Sequence, residues 1–253
     1  MKQSLMNKTI LQIALLTGLI AGSHAASVIQ VTGVETSGFG NYSGDQTKMT
    51  DLSGMNGNGT DGPGQSGDPN TWTATSTAYQ AEWQSAGNNN GVLYTPNSHN
   101  NKMGWIVFDL GSSQAMGEIH LWNVRNGTTT QTRNYNIYFA DAAIGVPTND
   151  AVQDYSFTGA NGWSQFSSTF TMAATQGNGN GAEDIHNVNG NSARYIGIEI
   201  ITNNGNYTPN DGNQTATGRV GLAEFAVTAA IPEPSVALLS GLGVLMLLRR
   251  KKH

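Results

Sequence analysis

Short runs in which hydrophobic and polar residues alternate recur through the second half of the chain, between turns rich in Gly and Asn. A period of two places every second side chain on the same face of a β-strand. In residues 105–110 it places Ile106, Phe108 and Leu110 on one face. The same pattern predicts strands over residues 118–123, 135–140, 194–201 and 222–228, with inward-facing residues Ile119, Leu121, Tyr135, Ile137, Phe139, Ile196, Ile198 and Ile200. Because these strands occur without long helical periods, the sequence predicts an all-β sandwich.

Two stretches lack this alternation. Residues 27–81 are dominated by Gly, Asn, Ser, Thr and Asp, and residues 177–191 are rich in Asn and Gly. Both are predicted to be loops, since Gly and Asn tolerate the backbone conformations of turns. There is no internal repeat, so a single domain is the simplest interpretation.

Composition and charge narrow the possible functions. The 253 residues include no Cys, which excludes disulfides, thiolate nucleophiles and Cys-based metal sites. The formal net charge is −5, but residues 27–230 hold only six basic residues against 16 acidic ones. Nucleic-acid binding needs clustered Lys and Arg, so it is excluded as a function. An acidic body suits solubility and cation binding.

The N-terminus has the features of a secretory signal peptide. Lys2 and Lys8 precede the apolar run Ile10–Ala21, and small residues at Ser23 and Ala25 suit a signal peptidase. We therefore predict that residues 1–25 are a signal peptide cut after Ala25. An amphipathic first helix is the alternative.

The C-terminus combines Pro232-Glu233-Pro234, the apolar run Val236–Leu248 and a basic tail. Thirteen residues make a helix of about 20 Å, shorter than the roughly 30 Å hydrocarbon core. Residues 231–253 resemble the PEP-CTERM sorting signal of Gram-negative bacteria. The resemblance implies transient contact with the inner membrane, recognition of Pro232, Glu233 and Pro234 by an exosortase-type enzyme, and export to the cell surface or extracellular matrix of bacteria that make exopolysaccharide. An ordinary single-span anchor is the alternative.

Several segments between Ser27 and Thr228 resemble, in order, the discoidin or coagulation factor V/VIII type C family of galactose-binding-like folds. They are Asp51–Met55, Asp68–Trp72, Trp105–Gly111, Ile119–Asn123, Tyr135–Tyr138, Trp163–Phe166, Ala193–Ile196 and Gly221–Phe225. The resemblance implies that residues 26–230 form an eight-stranded jelly-roll β-sandwich whose loops at one end bind ligands.

The same resemblance implies a structural calcium site. Calcium takes six to eight oxygen ligands from carboxylates, hydroxyls and carbonyls. Asp51 and Glu224 would supply carboxylates, and Thr71 a hydroxyl or a carbonyl. Lys48, Ser53 and Ala223 would supply carbonyls. In the alternative, Asp51 caps a turn and Glu224 is solvated.

Carbohydrate binding is the next hypothesis, because a sugar needs an exposed aromatic ring beside polar side chains. The candidates in or near loops are Tyr42, Trp83, Tyr94, His99, Arg125 and Tyr207. Each has packing as its alternative, and Trp105, Trp122 and Trp163 are assigned to packing.

Enzyme motifs are scarce. His99, His120 and His186 have no triad or metalloprotease spacing around them. We expect His120 to be exposed and Glu183–His186 to lie in a solvated acidic loop. The sequence therefore predicts an exported, calcium-stabilised, non-enzymatic module that binds glycan such as exopolysaccharide. A structural matrix protein that contacts other proteins and a polysaccharide-active enzyme are the alternatives.

Overall fold

The computed structural model describes ten stretches of the chain: residues 27–37, 46–52, 54–56, 67–74, 82–84, 103–125, 130–146, 155–174, 179–204 and 220–231. Ala26–Ala230 form one compact unit. Its strands are β1 (Gly33–Thr36), β2 (Met55–Asn56), β3 (Thr73–Ala74), β4 (Trp83–Gln84), β5 (Gly104–Asn123), β6 (Asn134–Ala140), β7 (Ser164–Gln165), β8 (Phe170–Thr171), β9 (Asp184–Asn187), β10 (Ser192–Ile200) and β11 (Gly221–Ala229). Short 3₁₀ turns span Gln46–Met49, Pro69–Thr71 and Gly159–Asn161.

Strand β5 belongs to both layers of the sandwich. Its first part pairs with β1 and β10, and β10 continues through β6 to β7 and β8. Its last part pairs with β11 and β9, and β11 continues to β4. All these pairings are antiparallel. A separate two-stranded sheet joins β2 to β3. The all-β sandwich predicted from the alternation is confirmed.

The main core lies between the two layers. Phe108 of the first layer stacks on Phe225 of the second, with ring centroids 3.8 Å apart. Every inward-facing residue that the alternation predicts is buried in this core. Burial of these apolar side chains supplies the main driving force for folding.

Each layer also buries side chains on its outer face. On the second layer, Trp122 is covered by Trp72 and Leu52, which come from the early part of the chain. On the first layer, Trp105 is buried beneath Phe157 and Trp163. The three tryptophans that the sequence assigned to packing, Trp105, Trp122 and Trp163, are 2%, 0% and 4% exposed, which confirms that assignment.

The two ends of the sandwich differ in what they carry. At one end, here called the terminal end, Val28 bridges to Thr228 and Ala230 donates to the carbonyl of Ala115. Strand β10 begins there, where Ser192 pairs with Ala115, and ends opposite Gly104 at the other end, here called the loop end.

Three expectations about local structure are wrong. His120 is fully buried, because residues from the early chain cover the outer face on which it lies. The predicted loop over residues 177–191 contains β9, and Glu183 is 4% exposed instead of solvated. The early stretch is not all loop, since β1, β2 and β3 lie in it.

The predicted cleavage site at Ala25 and the sorting residues Pro232, Glu233 and Pro234 lie outside the described residues. Within the described stretches, no helix is long and apolar enough to cross a membrane.

Candidate functional site

Four segments that lie outside the described residues all begin or end at the loop end. Segment 38–45 follows Ser37, whose amide donates to the carbonyl of Trp105. Segment 85–102 follows Gln84, which pairs with Gly221. Segments 126–129 and 205–219 follow Arg125 and Asn204. The glycan candidates Tyr42, Tyr94, His99 and Tyr207 fall in three of these segments, so the described residues that flank them meet at one end of the sandwich.

A network of buried amide and hydroxyl groups joins these flanking residues. Asn123 and Thr132 exchange two hydrogen bonds: the Asn123 side-chain amide donates to the Thr132 carbonyl at 2.8 Å, and the Thr132 amide donates to Asn123 Oδ1 at 2.9 Å. The Thr132 hydroxyl donates to the carbonyl of Gly221 at 2.9 Å. The Asn204 amide donates to the carbonyl of Gln131. Satisfied buried networks of this kind fix a single geometry, so the loop end has a rigid base.

The centre of the loop end is a buried ion pair. Arg125 Nη1 donates to Glu183 Oε1 at 2.6 Å, and the two side chains are 0% and 4% exposed. Glu183 Oε2 accepts from the backbone amide of Asn123 at 2.6 Å, and Glu82 Oε1 accepts from the backbone amide of Arg125. Burial raises the pKa of Glu183, while Arg125 acts in the opposite direction. Glu183 therefore fixes both Arg125 and the end of β5.

The guanidinium of Arg125 has N–H donors that Glu183 does not use. Its Nε and Nη2 atoms are buried and make no hydrogen bond in the part of the chain that the structure describes. A guanidinium presents five N–H donors in a fixed fork, and buried donors without acceptors are costly. A ligand that offered two oxygen acceptors would satisfy this edge of the guanidinium, but the side chain is 0% exposed, so the groups that cover it would first have to move aside.

A second polar cluster ties β9 to the opposite layer. The Tyr135 hydroxyl lies 2.6 Å from Asp184 Oδ2 and 2.6 Å from His186 Nε2. A phenol has one proton, so when Tyr135 donates to Asp184, His186 donates to Tyr135. Burial lowers the pKa of His186, and Asp184 opposes this shift. Burial also raises the pKa of Tyr135, which keeps the phenol protonated as the donor. Because Asp184 follows Glu183, this cluster holds the strand that positions the partner of Arg125.

The predicted calcium residues come from segments that lie together. The turn with Lys48 packs against β11, and Leu52 belongs to the same buried cluster as Trp72 and Ala223. The Glu224 carboxylate is completely buried. Lys48 Nζ lies 2.8 Å from Asp51 Oδ2.

The predicted ligands are of the chemical type that calcium binds, but one of them, Asp51, already forms an ion pair with Lys48. The Thr71 hydroxyl donates to the carbonyl of Asp68 at 2.7 Å, which leaves its oxygen able to accept a cation. Carboxylates and a hydroxyl are hard oxygen donors of the type that calcium prefers. A cation at Asp51 would have to displace the ammonium of Lys48. Ser53 lies outside the described residues, within which no three His, Asp or Glu side chains group as a metal site.

Two glycan candidates need correction. Trp83 was predicted near a loop, but β4 pairs with β11 and its ring is fully buried in the main core. It is therefore unavailable to a sugar. The Arg125 side chain is buried against Glu183 instead of exposed.

Sequence reasoning missed Glu82, Glu183 and the Tyr135 cluster. The composition of residues 183–186 predicts a solvated acidic loop instead of a strand that carries buried side chains. The sequence did contain a sign of β9, because polar and apolar residues alternate through Asp184, Ile185 and His186 with the period of a strand. Nothing in the sequence pairs Arg125 with Glu183, because 58 positions separate them.

The fold and the loop end define a class: an all-β sandwich with a buried network of polar groups at one end. No family model matches the chain, and no curated protein does. Among solved structures, the chain is similar to the family 32 carbohydrate-binding module of C. perfringens NanJ in complex with galactose. They share 13% identity over 80% of this chain and 98% of that one, with a TM-score of 0.39.

Two further solved structures are similar over most of their length. A Streptococcus pneumoniae fucose-binding module shares 12% identity over 82% of this chain and 99% of that one, with a TM-score of 0.42. A pectin-binding carbohydrate-binding module shares 15% identity over 82% and 96%, with a TM-score of 0.39. All three TM-scores are below 0.5, so the case for a function rests on the residues of this chain.

Proposed function

We propose that the compact unit is a non-enzymatic glycan-binding module and that the loop end is its binding site. The observation that carries the proposal is the buried Arg125, whose Nη1 is held by Glu183 while Nε and Nη2 make no hydrogen bond within the described stretches. Sugar hydroxyls and ring oxygens are acceptors for such a pair of donors. The aromatic rings of Tyr42, Tyr94 or Tyr207 would supply the stacking surface.

The test compares one substitution at the two ends of the sandwich. Arg125→Lys keeps the charge but loses the planar fork, so glycan affinity should fall at least about tenfold, or about 1.4 kcal/mol. Arg194→Lys is the matched control, because Arg194 pairs with Asp109 toward the terminal end. Glycan-array screening of Ser27–Ala230 followed by calorimetry measures both, with thermal melting to check folding. Equal affinities of the folded wild type and Arg125→Lys would contradict the proposal.

Calcium stabilisation is the second part of the proposal. Asp51, Thr71, Glu224 and the carbonyls of Lys48, Ser53 and Ala223 would hold the ion, which would order the glycine-rich early segment. The meeting of the Lys48 turn with β11 supports it. Calcium should raise the melting temperature, EDTA should reverse the rise, and Glu224→Gln should abolish it. A melting temperature that is the same in calcium and EDTA would exclude the site.

We further propose that the protein is exported and sorted through residues 231–253. The Pro232-Glu233-Pro234 motif, short apolar run and basic tail support an exosortase-type partner and a surface or matrix location. Replacing Glu233 with Ala should leave the full-length precursor in the inner membrane of a host that carries an exosortase. Normal release of this variant would refute recognition of the motif.

The two alternatives give distinct results in the same assays. A structural matrix protein would bind no glycan on the array in calcium while remaining folded. A polysaccharide-active enzyme would release shorter oligosaccharides from the native exopolysaccharide, which a binding module does not do.

A further inference from the structure

The chain contains several Asn-Gly pairs, and three of them lie within the described stretches: Asn161-Gly162, Asn180-Gly181 and Asn189-Gly190. The first and the last of these three pairs lie in opposite environments. The reactivity of such a pair depends on two groups. They are the side-chain amide of Asn and the backbone nitrogen of the following Gly, which can attack it. Glycine has no side chain to hinder that approach.

Asn189 and Gly190 form the exposed turn between β9 and β10. The turn is closed by a hydrogen bond from the Asn191 amide to the carbonyl of Val188 at 3.0 Å. The Asn189 backbone amide donates to Asn187 Oδ1. Within the described residues, the Asn189 side chain and the Gly190 N–H make no hydrogen bond, and no residue other than its two chain neighbours lies within 4 Å of the position of a Cβ on Gly190. Both reacting groups are therefore accessible.

The Asn161-Gly162 pair has the same backbone conformation at glycine but is held in place. Gly162 has φ 87°, close to the 85° of Gly190. The Gly162 amide donates to the carbonyl of Gly159 at 3.1 Å, and Asn161 Nδ2 donates to the carbonyl of Ser156 at 3.0 Å. A Cβ on Gly162 would collide with the carbonyl oxygen of Ala142, so this glycine is closely packed. Both reacting groups are engaged.

We propose that Asn189 is a site of spontaneous deamidation in the folded protein and that Asn161 is protected. The Gly190 nitrogen loses its proton to water or hydroxide and attacks Asn189 Cγ, which forms an N–Cγ bond. The Cγ–Nδ2 bond breaks, and Nδ2 takes up a proton and leaves as ammonia. Water then opens the cyclic imide at either carbonyl, which gives aspartate or isoaspartate. The net reaction consumes one water, releases one ammonia and involves no oxidation or reduction.

The modification changes the terminal end in two ways. It adds one negative charge in the turn itself. The isoaspartate product also inserts a methylene group into the main chain of a tight turn, where the hydrogen bond from Asn191 to Val188 depends on the spacing. Isoaspartate at residue 189 should therefore weaken the junction between β9 and β10.

The experiment monitors both sites in the same molecule. Native Ser27–Ala230 is incubated in mildly alkaline buffer, digested at intervals and examined by tandem mass spectrometry. Asn189 should lose its amide at least about tenfold faster than Asn161, because two hydrogen bonds must break before Asn161 can react. A parallel sample in urea removes the fold, and there the two rates should converge.

The Asn189→Gln variant is the control for assignment, since its longer side chain would have to close a larger ring. It should abolish the signal at residue 189 and leave residue 161 unchanged. The proposal is overturned if Asn161 reacts as fast as Asn189 in the native protein. It is also overturned if Asn189 keeps its amide in the native sample while it reacts in urea.

Discussion

Two arginine–carboxylate pairs, one toward each end of the sandwich, show how the ends differ. Toward the terminal end, Arg194 forms a two-pronged pair with Asp109, with Nε–Oδ1 and Nη2–Oδ2 distances of 2.9 Å. Its side chain is 40% exposed and stacks over the ring of Tyr195. At the loop end, Arg125 contacts Glu183 through one nitrogen and is fully buried.

The two pairs have opposite energetic properties. An exposed pair is screened by water and salt, so it contributes little even with good geometry. A buried pair carries the desolvation cost of both charges, and removing one partner leaves the other charge uncompensated. The Arg194–Asp109 pair therefore has the better hydrogen-bonding geometry but contributes less to stability. Arg125, whose hydrogen bonds are incomplete, lies at the end that we propose to bind ligand.

The largest expected effect comes from breaking the buried pair. Glu183→Ala leaves the Arg125 guanidinium buried without its partner, and it should destabilise the protein by about 3–5 kcal/mol. Asp109→Ala is the matched control at the exposed pair and should cost much less. Urea denaturation measures both. Similar losses for the two variants would remove the distinction between the pairs.

The next effect concerns the cluster that holds β9. Tyr135→Phe removes the hydroxyl that contacts both Asp184 and His186. Leaving two polar groups without their partner should destabilise the protein by about 1–3 kcal/mol. Glycan affinity should fall as well, because β9 positions Glu183. Unchanged affinity in the folded variant would show that Arg125 is held without this cluster.

Acid should act on the buried histidines and on the exposed Arg194–Asp109 pair in different pH ranges. Burial lowers the pKa values of His120 and His186, so the unfolded chain binds protons more readily than the folded one. Stability should therefore fall as the pH drops below about 6.5. The raised pKa of Glu183 acts in the opposite direction at lower pH. Asp109 has its pKa lowered by Arg194, so its contribution is lost only below 3.8.

Urea midpoints measured from pH 7 downward test this order. His186→Gln should flatten the first decline and leave the later one intact. A decline that begins only near pH 4 in the wild type would contradict the assignment to the buried histidines.

The smallest effect is expected at the exposed pair. Arg194→Ala removes a pair that solvent already screens, so its melting temperature should remain close to that of the wild type, and the difference should shrink in high salt. Thermal melting at low and high ionic strength measures this. A large loss that persisted in high salt would mean that the two ends behave alike.

Alternation predicted the layers well because it reports local geometry. Ile106 and Phe108 face the core because successive side chains of a strand point to opposite sides. The same rule placed His120 on the outer face, and it does lie there. Its burial was not predictable, because Trp72 and Leu52 reach that face from distant parts of the chain.

The candidate site was harder to predict for the same reason. Arg125 could be selected from its position after a strand. Glu183 could not, because its role depends on a contact with a residue 58 positions away. The polar composition around Glu183 suggested a loop, yet backbone pairing with Leu121 made Asp184 part of an edge strand.

The positions of the first and last residues of the compact unit determine how it would respond to mechanical load. Val28 pairs with Thr228, and the Ile29 amide donates to the carbonyl of Val227. Because the paired segments are antiparallel, force applied at Ser27 and Ala230 pulls them apart one hydrogen bond after another, as a zipper opens. The hydrogen bonds at the terminal end would therefore break first, at low force. The buried pair of Arg125 and Glu183 at the loop end would be loaded last.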